Sequence, residues 1–183
     1  MTKTTEPQAI PDSFQFSQYK LQDYVDCPRR FQLRHVLMQP WPGLITDSPF
    51  EFEQHQQRGN ALHHLAHQYA IGIDPERLEG TIADKALKGW WQTFLHNEPP
   101  GLPQAIRKPE VVLGSTLGGY RLMAKIDLLA AEPGQRLVVV DWKTVHRPPS
   151  RTTLAQRLQT RVYRYLAVEA GAAFNGGQRP QLD

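Results

Sequence analysis

Apolar positions follow a helical period in the first half of this chain. Ser17 can cap a helix that continues to about Asp26, because its hydroxyl can accept a hydrogen bond from the first turn. Pro28 suits the first turn of a second helix, which the pattern extends to about residue 37. Two longer helices are predicted over residues 50–71 and 75–96.

The helical period of the apolar residues ends at a proline-rich link, residues 98–103. Short apolar runs rich in Val, Ile and Leu then predict three strands, which are separated by turn signals. A final helix follows, capped by Ser150 and ending at Gly171. The predicted strands cover residues 111–113, 120–129 and 137–141, with turns at Gly118-Gly119 and at Pro133-Gly134. The pattern favours an α/β fold with a helical N-terminal half and a central mixed or antiparallel sheet flanked by helices.

Composition agrees with one globular domain. The chain has 183 residues, of which 40% are hydrophobic, so it can bury a core of its own. Residues 1–13 are polar and are expected to be a disordered tail, which leaves 14–183 as the domain. No apolar run approaches the ~18 residues of a membrane span, and the polar start is no signal peptide. We therefore expect a cytoplasmic protein without a membrane partner.

The most informative polar residues stand at the ends of two predicted strands. Asp141 and Lys143 are two apart and share one face, and a hairpin brings Asp127 to them from the preceding strand. Two carboxylates beside a lysine predict a divalent-metal site next to a fixed positive charge, which is suited to cleaving a phosphodiester. Taken alone, the same residues are also typical of a strand end that shows Asp and Lys to solvent.

Several motifs occur in an order that favours the metal site over a solvent-exposed strand end. They are the run Tyr24 to Phe31, Gly59-Asn60-Ala61-Leu62-His63, Glu110, Asp127, Asp141-Trp142-Lys143, and Gln159 with Tyr163. From about Ser17 to Ala170 the chain resembles RecB-type nuclease domains of the PD-(D/E)xK superfamily. The resemblance implies a restriction-endonuclease-like core and a metal-dependent deoxyribonuclease that acts on DNA in repair, recombination or foreign-DNA processing.

The resemblance also implies a role for each motif. Metal ligation falls to His63, Asp127 and Asp141, and the orientation of water or stabilisation of phosphate falls to Lys143. The matching glutamate, Glu110, is implied to lie in the second shell or to bind a second metal. The helix with Gln159 and Tyr163 is implied to border the site and to contact DNA.

The chemistry of these ligands indicates the metal. One imidazole and two carboxylates suit Mg²⁺ or Mn²⁺, and we expect the backbone carbonyl of Trp142 to complete the set. Arg147 and Arg151 lie near Lys143 in the sequence and are candidates for holding the DNA backbone.

The chain departs from the family pattern at two points, its cysteines and the region after the last helix. Members with an iron–sulfur cluster have three further cysteines, but Cys27 is the single cysteine here, so we expect no such cluster in this chain and interpret Cys27 as a small apolar core residue. Members usually continue with further strands after the last helix. We therefore expect the open sheet edge to be covered by additional C-terminal sequence, by a further subunit or by a second copy of the chain.

Two other functions are compatible with the same residues. A non-catalytic nucleic-acid-binding or scaffold module is the main alternative, and a restriction-type endonuclease is a third. The retained Asp127, Asp141 and Lys143 favour an active nuclease, because carboxylates that repel each other without a metal serve no purpose in a scaffold.

Overall fold

Two successive antiparallel hairpins form most of the sheet. The computed structural model describes residues 10–39, 49–145 and 147–182. Strand β2 (Ile106–Leu117) pairs along almost its whole length with β3 (Tyr120–Glu132), and β4 (Arg136–Val140) pairs with the last residues of β3. The predicted turns are confirmed, and the three strands lie where the apolar runs placed them, although β2 is much longer than predicted.

A fourth strand escaped prediction from the sequence. The two residues of β1 (Gln15–Phe16) pair in parallel with β3 at Arg121 and Leu122, which makes the sheet mixed. A strand of two residues is too short to show a period. The expected tail at 1–13 lies outside the described residues except for its last four positions.

The helices follow the predicted order with two breaks. They are α1 (Gln18–Asp26), α2 (Pro28–Phe31) with a π-helical turn at Gln32–Val36, α3 (Pro49–Ala70), α4 (Pro75–Glu79), α5 (Lys85–His96), α6 (Arg151–Gln156), α7 (Leu158–Ala170) and a 3₁₀ turn at Gly171–Phe174. The single helix predicted over 75–96 is wrong, because Asp74 and Asp84 each cap a separate helix. The final helix is interrupted at Arg157, whose ψ of 137° is extended. Both predicted caps are confirmed: the Ser17 and Ser150 hydroxyls accept from Lys20 and Thr153 N–H groups.

Helices cover both faces of the sheet. On one face α7 packs against β2 and β3, and this cluster includes Leu113, Ile126 and Leu166. On the other face Leu128 and Val140 pack with Leu102 and with Ala70 of α3. Trp91 of α5 is fully buried in a separate cluster with Leu62, Leu65 and Leu78. The end of β4 and the middle of β3, which pair at Val140 and Leu128, therefore lie between α3 on one side and α7 on the other.

Two statements follow for the described residues alone. None of their helices is both long enough and apolar enough to cross a membrane. Strand β4 pairs with β3 and, within the described part of the chain, with no strand on its other side. What covers that edge stays a prediction.

A buried carboxylate joins α1 to the segment that follows α2. Asp23 is 4% exposed, and its two oxygens form ion pairs with Arg30 at 2.9 Å, Arg34 at 3.0 Å and His35 at 2.7 Å. Burial alone would raise the pKa of Asp23. The hydrogen bonds from His35 and Arg34, with the charges of Arg34 and Arg30, outweigh burial and hold this pKa below its ordinary value.

We expect Asp23→Ala to lower the free energy of unfolding by about 2 kcal/mol, since Arg30, Arg34 and His35 lose a shared buried partner that water only partly replaces. Urea unfolding measures this loss. The lowered pKa of Asp23 stabilises the fold at pH values above the ordinary carboxyl value of 3.8. This stabilisation is lost as the pH falls through the pKa of the folded state, so the difference between variant and wild type should shrink in strong acid.

Asp26→Ala, which removes an exposed partner of Arg30, is the control and should change stability by less than about 0.5 kcal/mol. Equal effects of the two variants would contradict this account.

Candidate active site

The pairing of β3 with β4 brings the two candidate aspartates together. Leu128 is opposite Val140, so the next positions along the two strands are Asp127 and Asp141. The backbone N–H of Trp142 donates to Oδ2 of Asp127 at 2.8 Å, which ties the segment after β4 to β3. The juxtaposition that the hairpin predicts is therefore present in the structure.

Side chains from α7 and from the chain after β4 hold Asp141 on both of its oxygens. Oδ1 accepts from Gln159 Nε2 at 2.9 Å and from the Tyr163 hydroxyl at 3.1 Å, and Oδ2 pairs with Lys143 Nζ at 2.5 Å. Gln159 also donates to the Tyr163 oxygen at 3.0 Å. Burial raises the pKa of Tyr163 well above its ordinary value, and the negative charge of Asp141 adds to this effect, so the hydroxyl remains a donor.

His63 reaches the other aspartate from α3. Its Nδ1 lies 3.2 Å from Asp127 Oδ2. This hydrogen bond raises the pKa of His63, burial opposes it, and the charges of Asp127 and Asp141 add to the increase. Burial alone would raise the pKa of Asp127, but the bonds from His63 and from Trp142 N–H lower it below its ordinary value. Each partner therefore favours the charged form of the other.

The donor atoms fit a hard divalent cation. Two adjacent ligands of an octahedral ion at ~2.1 Å lie about 3 Å apart, and the His63 Nδ1–Asp127 Oδ2 separation of 3.2 Å is close to that value. As the side chains stand, no three His, Cys, Asp or Glu side chains of the described residues converge on one point. Lys143, Gln159 and Tyr163 occupy the oxygens of Asp141. Ligation by Asp141 thus requires these partners to share or release it.

Glu110 lies beside Asp127 but has other partners. Glu110 is on β2 between the pairs Pro109–Leu128 and Val111–Ile126, so it lies opposite Asp127 of β3. Its carboxylate pairs with Lys125 at 2.7 Å and with His67 at 3.6 Å, and the Lys125 hydrogen bond contributes most to lowering the pKa of Glu110. Its φ of 51° is strained for a residue with a side chain, and strain of this kind clusters at functional sites.

A stripe of residues four apart on α3 faces the segment after β4, then β3, then β2. It consists of His55, Gly59, His63 and His67. His55 Nε2 lies 2.6 Å from the carbonyl oxygen of Thr144. A Cβ on Gly59 would lie only 3.0 Å from Thr144 Oγ1, so the glycine permits the close approach of helix and loop. This contact explains why a glycine precedes the histidine by four residues.

Two contributors to the site were not identified from the sequence. His55 anchors the Thr144 carbonyl, and Lys125 pairs with Glu110. The four-residue spacing of His55 from Gly59 is a signal that points to the first. Lys125 gives no comparable signal, because a lysine in an exposed strand position is ordinary.

We expect Gly59→Leu to lower any activity of this site roughly ten- to a hundredfold, because displacing Thr144 moves the neighbouring Lys143 away from Asp141. Circular dichroism should show the helices intact, since leucine is the better helix former. Gly89→Leu on α5 is the matched control, because a Cβ at Gly89 meets nothing within 4 Å. Equal activities of the two variants in a nuclease assay would contradict the proposed contact.

Three further predicted positions have different outcomes. Arg147 and Arg151 are exposed, and neither contacts the aspartate cluster within the described residues, so their role stays a prediction. Cys27 is half-buried, and its Sγ accepts from Arg30 N–H at 3.4 Å. It therefore caps α2, which corrects its interpretation as a fully buried apolar residue.

Comparison with known proteins gives one match. The family described as the PD-(D/E)XK nuclease superfamily matches residues 15–182. No curated protein and no solved structure matches the chain significantly.

Proposed function

The chain belongs to the PD-(D/E)XK nuclease superfamily, and from this we propose that it is a metal-dependent deoxyribonuclease of the RecB type. The observation that carries the proposal is the cluster where the end of β4 meets the middle of β3. Asp127, Asp141 and Lys143 meet there, and His63 reaches them from α3. The expected pathways are DNA repair, recombination or foreign-DNA processing.

In this proposal His63, Asp127 and Asp141 would hold one Mg²⁺ or Mn²⁺, with the carbonyl of Trp142 as a further ligand. The bound ion would lower the pKa of a water and offset the charge that develops on the phosphate. The metal must compete with protein hydrogen bonds at both carboxylates. Neutral His63 would be the ligating form, so metal binding would oppose protonation of this ring.

Lys143 is placed to act on water or phosphate. Its Nζ touches Asp141 Oδ2, yet 40% of its side chain is exposed, so the ammonium can reach an incoming DNA strand without leaving the site. A fixed ammonium there would orient the attacking water and stabilise the negative charge on the phosphate oxygens.

Gln159 and Tyr163 are proposed to position Asp141 as well as to border the DNA. Both donate to the Asp141 oxygen that is not paired with Lys143, so they fix the direction of the carboxylate. Glu110, with its strained backbone, is proposed to support the site from the second shell or to bind a second metal. Arg147 and Arg151 follow Lys143 in the sequence and are both exposed, which supports a role in binding the DNA backbone.

The direct test is incubation of the purified chain with end-labelled single-stranded and double-stranded DNA in Mg²⁺, Mn²⁺ or EDTA. We expect cleavage with either metal and none in EDTA. DNA binding without cleavage in every metal would favour the non-catalytic binding module instead. Absence of both binding and cleavage would contradict both functions.

A further inference from the structure

A cleft of about 510 Å³ opens beside Lys143 on the α3 and α5 side of the sheet. Its walls include the rings of Trp90, Phe94 and Trp142, and its polar groups include Thr93 of α5 and Asn97, which follows that helix. Lys143 lines this cleft and also contacts Asp141, so the cleft is continuous with the candidate active site. A volume of this size is typical of a small-ligand site.

The rings around the cleft differ from those that build the core. Trp91 is completely buried, whereas its neighbour Trp90 is half-buried and lines the opening. Phe94 meets Trp142 edge to face at 4.9 Å, which links α5 to the residue between Asp141 and Lys143. Trp90 and Phe94 therefore present aromatic surface next to Lys143.

The polar groups at the cleft are suited to a flat ligand with hydrogen-bonding edges. Asn97 uses its Nδ2 to donate to the Thr93 carbonyl at 2.7 Å, which directs its amide along the α5 wall. Asn97 and the exposed Thr93, whose hydroxyl donates to the Gly89 carbonyl, line the cleft beside the rings of Trp90 and Phe94. Aromatic rings beside a single cation match a nucleotide, whose base stacks while its phosphate meets the ammonium.

We propose that this cleft binds an unpaired nucleobase of the nucleotide adjoining the phosphate at Lys143. The proposal rests on the proposed nuclease function. In a duplex both faces of a base are covered by its neighbours, so only an unpaired or extruded base offers a face to these rings. The cleft would therefore make cleavage depend on the presence and stacking of that base.

The test compares binding of an oligothymidylate of about eight nucleotides with binding of the same strand carrying abasic positions. Fluorescence anisotropy in EDTA follows binding alone, so it is independent of cleavage. Thr93→Tyr places a ring in the cleft from an exposed helix position. Gln92→Tyr is the matched control, because the exposed Gln92 bonds to Glu79 on α4 and not to the cleft. A further variant, Trp90→Leu, removes one ring and leaves a smaller apolar side chain in its place.

We expect wild type and Gln92→Tyr to bind the intact strand roughly 5- to 150-fold more tightly than the abasic strand, as one stacked base provides. Thr93→Tyr and Trp90→Leu should lose most of this difference. Equal binding of the two strands by wild type, equal behaviour of Thr93→Tyr and Gln92→Tyr, or no binding of the intact strand would overturn the proposal. A failed nuclease function would show in the metal-dependent cleavage assay instead, so the two failures are distinguishable.

Discussion

The double substitution of Asp127 and Asp141 by alanine should abolish Mn²⁺ binding and lower DNA cleavage at least about 1000-fold. The two carboxylates supply both of the proposed anionic ligands, and a bound metal contributes several kcal/mol of transition-state stabilisation. His63 would be left without either carboxylate partner, which is too few ligands to retain the ion. Isothermal titration calorimetry with Mn²⁺ measures the first effect, and a cleavage assay measures the second.

The control for this experiment removes the same charge elsewhere. Asp12 and Asp26 are both exposed, and alanine at both positions leaves the cluster intact. This control variant should bind Mn²⁺ and cleave DNA like wild type. Unchanged Mn²⁺ affinity in the Asp127→Ala, Asp141→Ala variant would place the metal site elsewhere in the chain.

The second large effect is expected at Lys143. Lys143→Ala should leave Mn²⁺ affinity equal or slightly tighter, because a cation is removed from beside the carboxylates. Its kcat should fall roughly 100- to 1000-fold, as when a charge-stabilising donor is lost from an active site. The two properties thus separate, which they do not at Asp127 and Asp141.

Steady-state cleavage and calorimetry on the same preparation measure that separation. Lys88→Ala is a suitable control, since Lys88 of α5 pairs with Glu79 of α4 and not with either aspartate. A Lys143→Ala variant that loses Mn²⁺ binding, or that cleaves at the wild-type rate, would contradict the proposed role.

Local signals explain why much of the sheet could be predicted. The turn between β3 and β4 is marked by Pro133 and Gly134, and Gly134 adopts a φ of 75° that favours glycine. With the turn fixed, the two-residue period of the strands decides which side chains share a face, and hence that Asp127 meets Asp141. The register and the core of the site are thus both encoded within 17 consecutive residues, 127–143.

The features of the fold that the sequence did not predict come from interactions between residues distant in the chain. Strand β1 exists because Gln15 and Phe16 pair with β3, more than 100 residues later. The extended backbone at Arg157 separates α6 from α7, although apolar spacing continues through both. The positive φ of Glu110 likewise arises in the folded sheet, opposite Asp127, and glutamate has no intrinsic preference for it.

The site shows the same division between local and distant information. Strand period alone groups Asp127, Asp141 and Lys143, whereas the implied roles of His63, Gln159 and Tyr163 depended on the family resemblance. The structure adds how they are connected, with Gln159 and Tyr163 holding one oxygen of Asp141 and Lys143 the other. That arrangement requires α7 and β4 to be packed together, which no local pattern reports.

The most direct test of a metal-dependent nuclease site in this cluster is Mn²⁺-dependent cleavage of end-labelled DNA by wild type and by Asp141→Asn, purified in parallel. Asparagine keeps the size of the side chain and its contacts with Gln159 and Tyr163 within reach, but it removes the ligand charge. We predict cleavage by wild type that EDTA abolishes, and cleavage by Asp141→Asn that is at least about 100-fold slower. Equal cleavage by the two proteins would contradict the account, because the activity would then come from another site or from a contaminant.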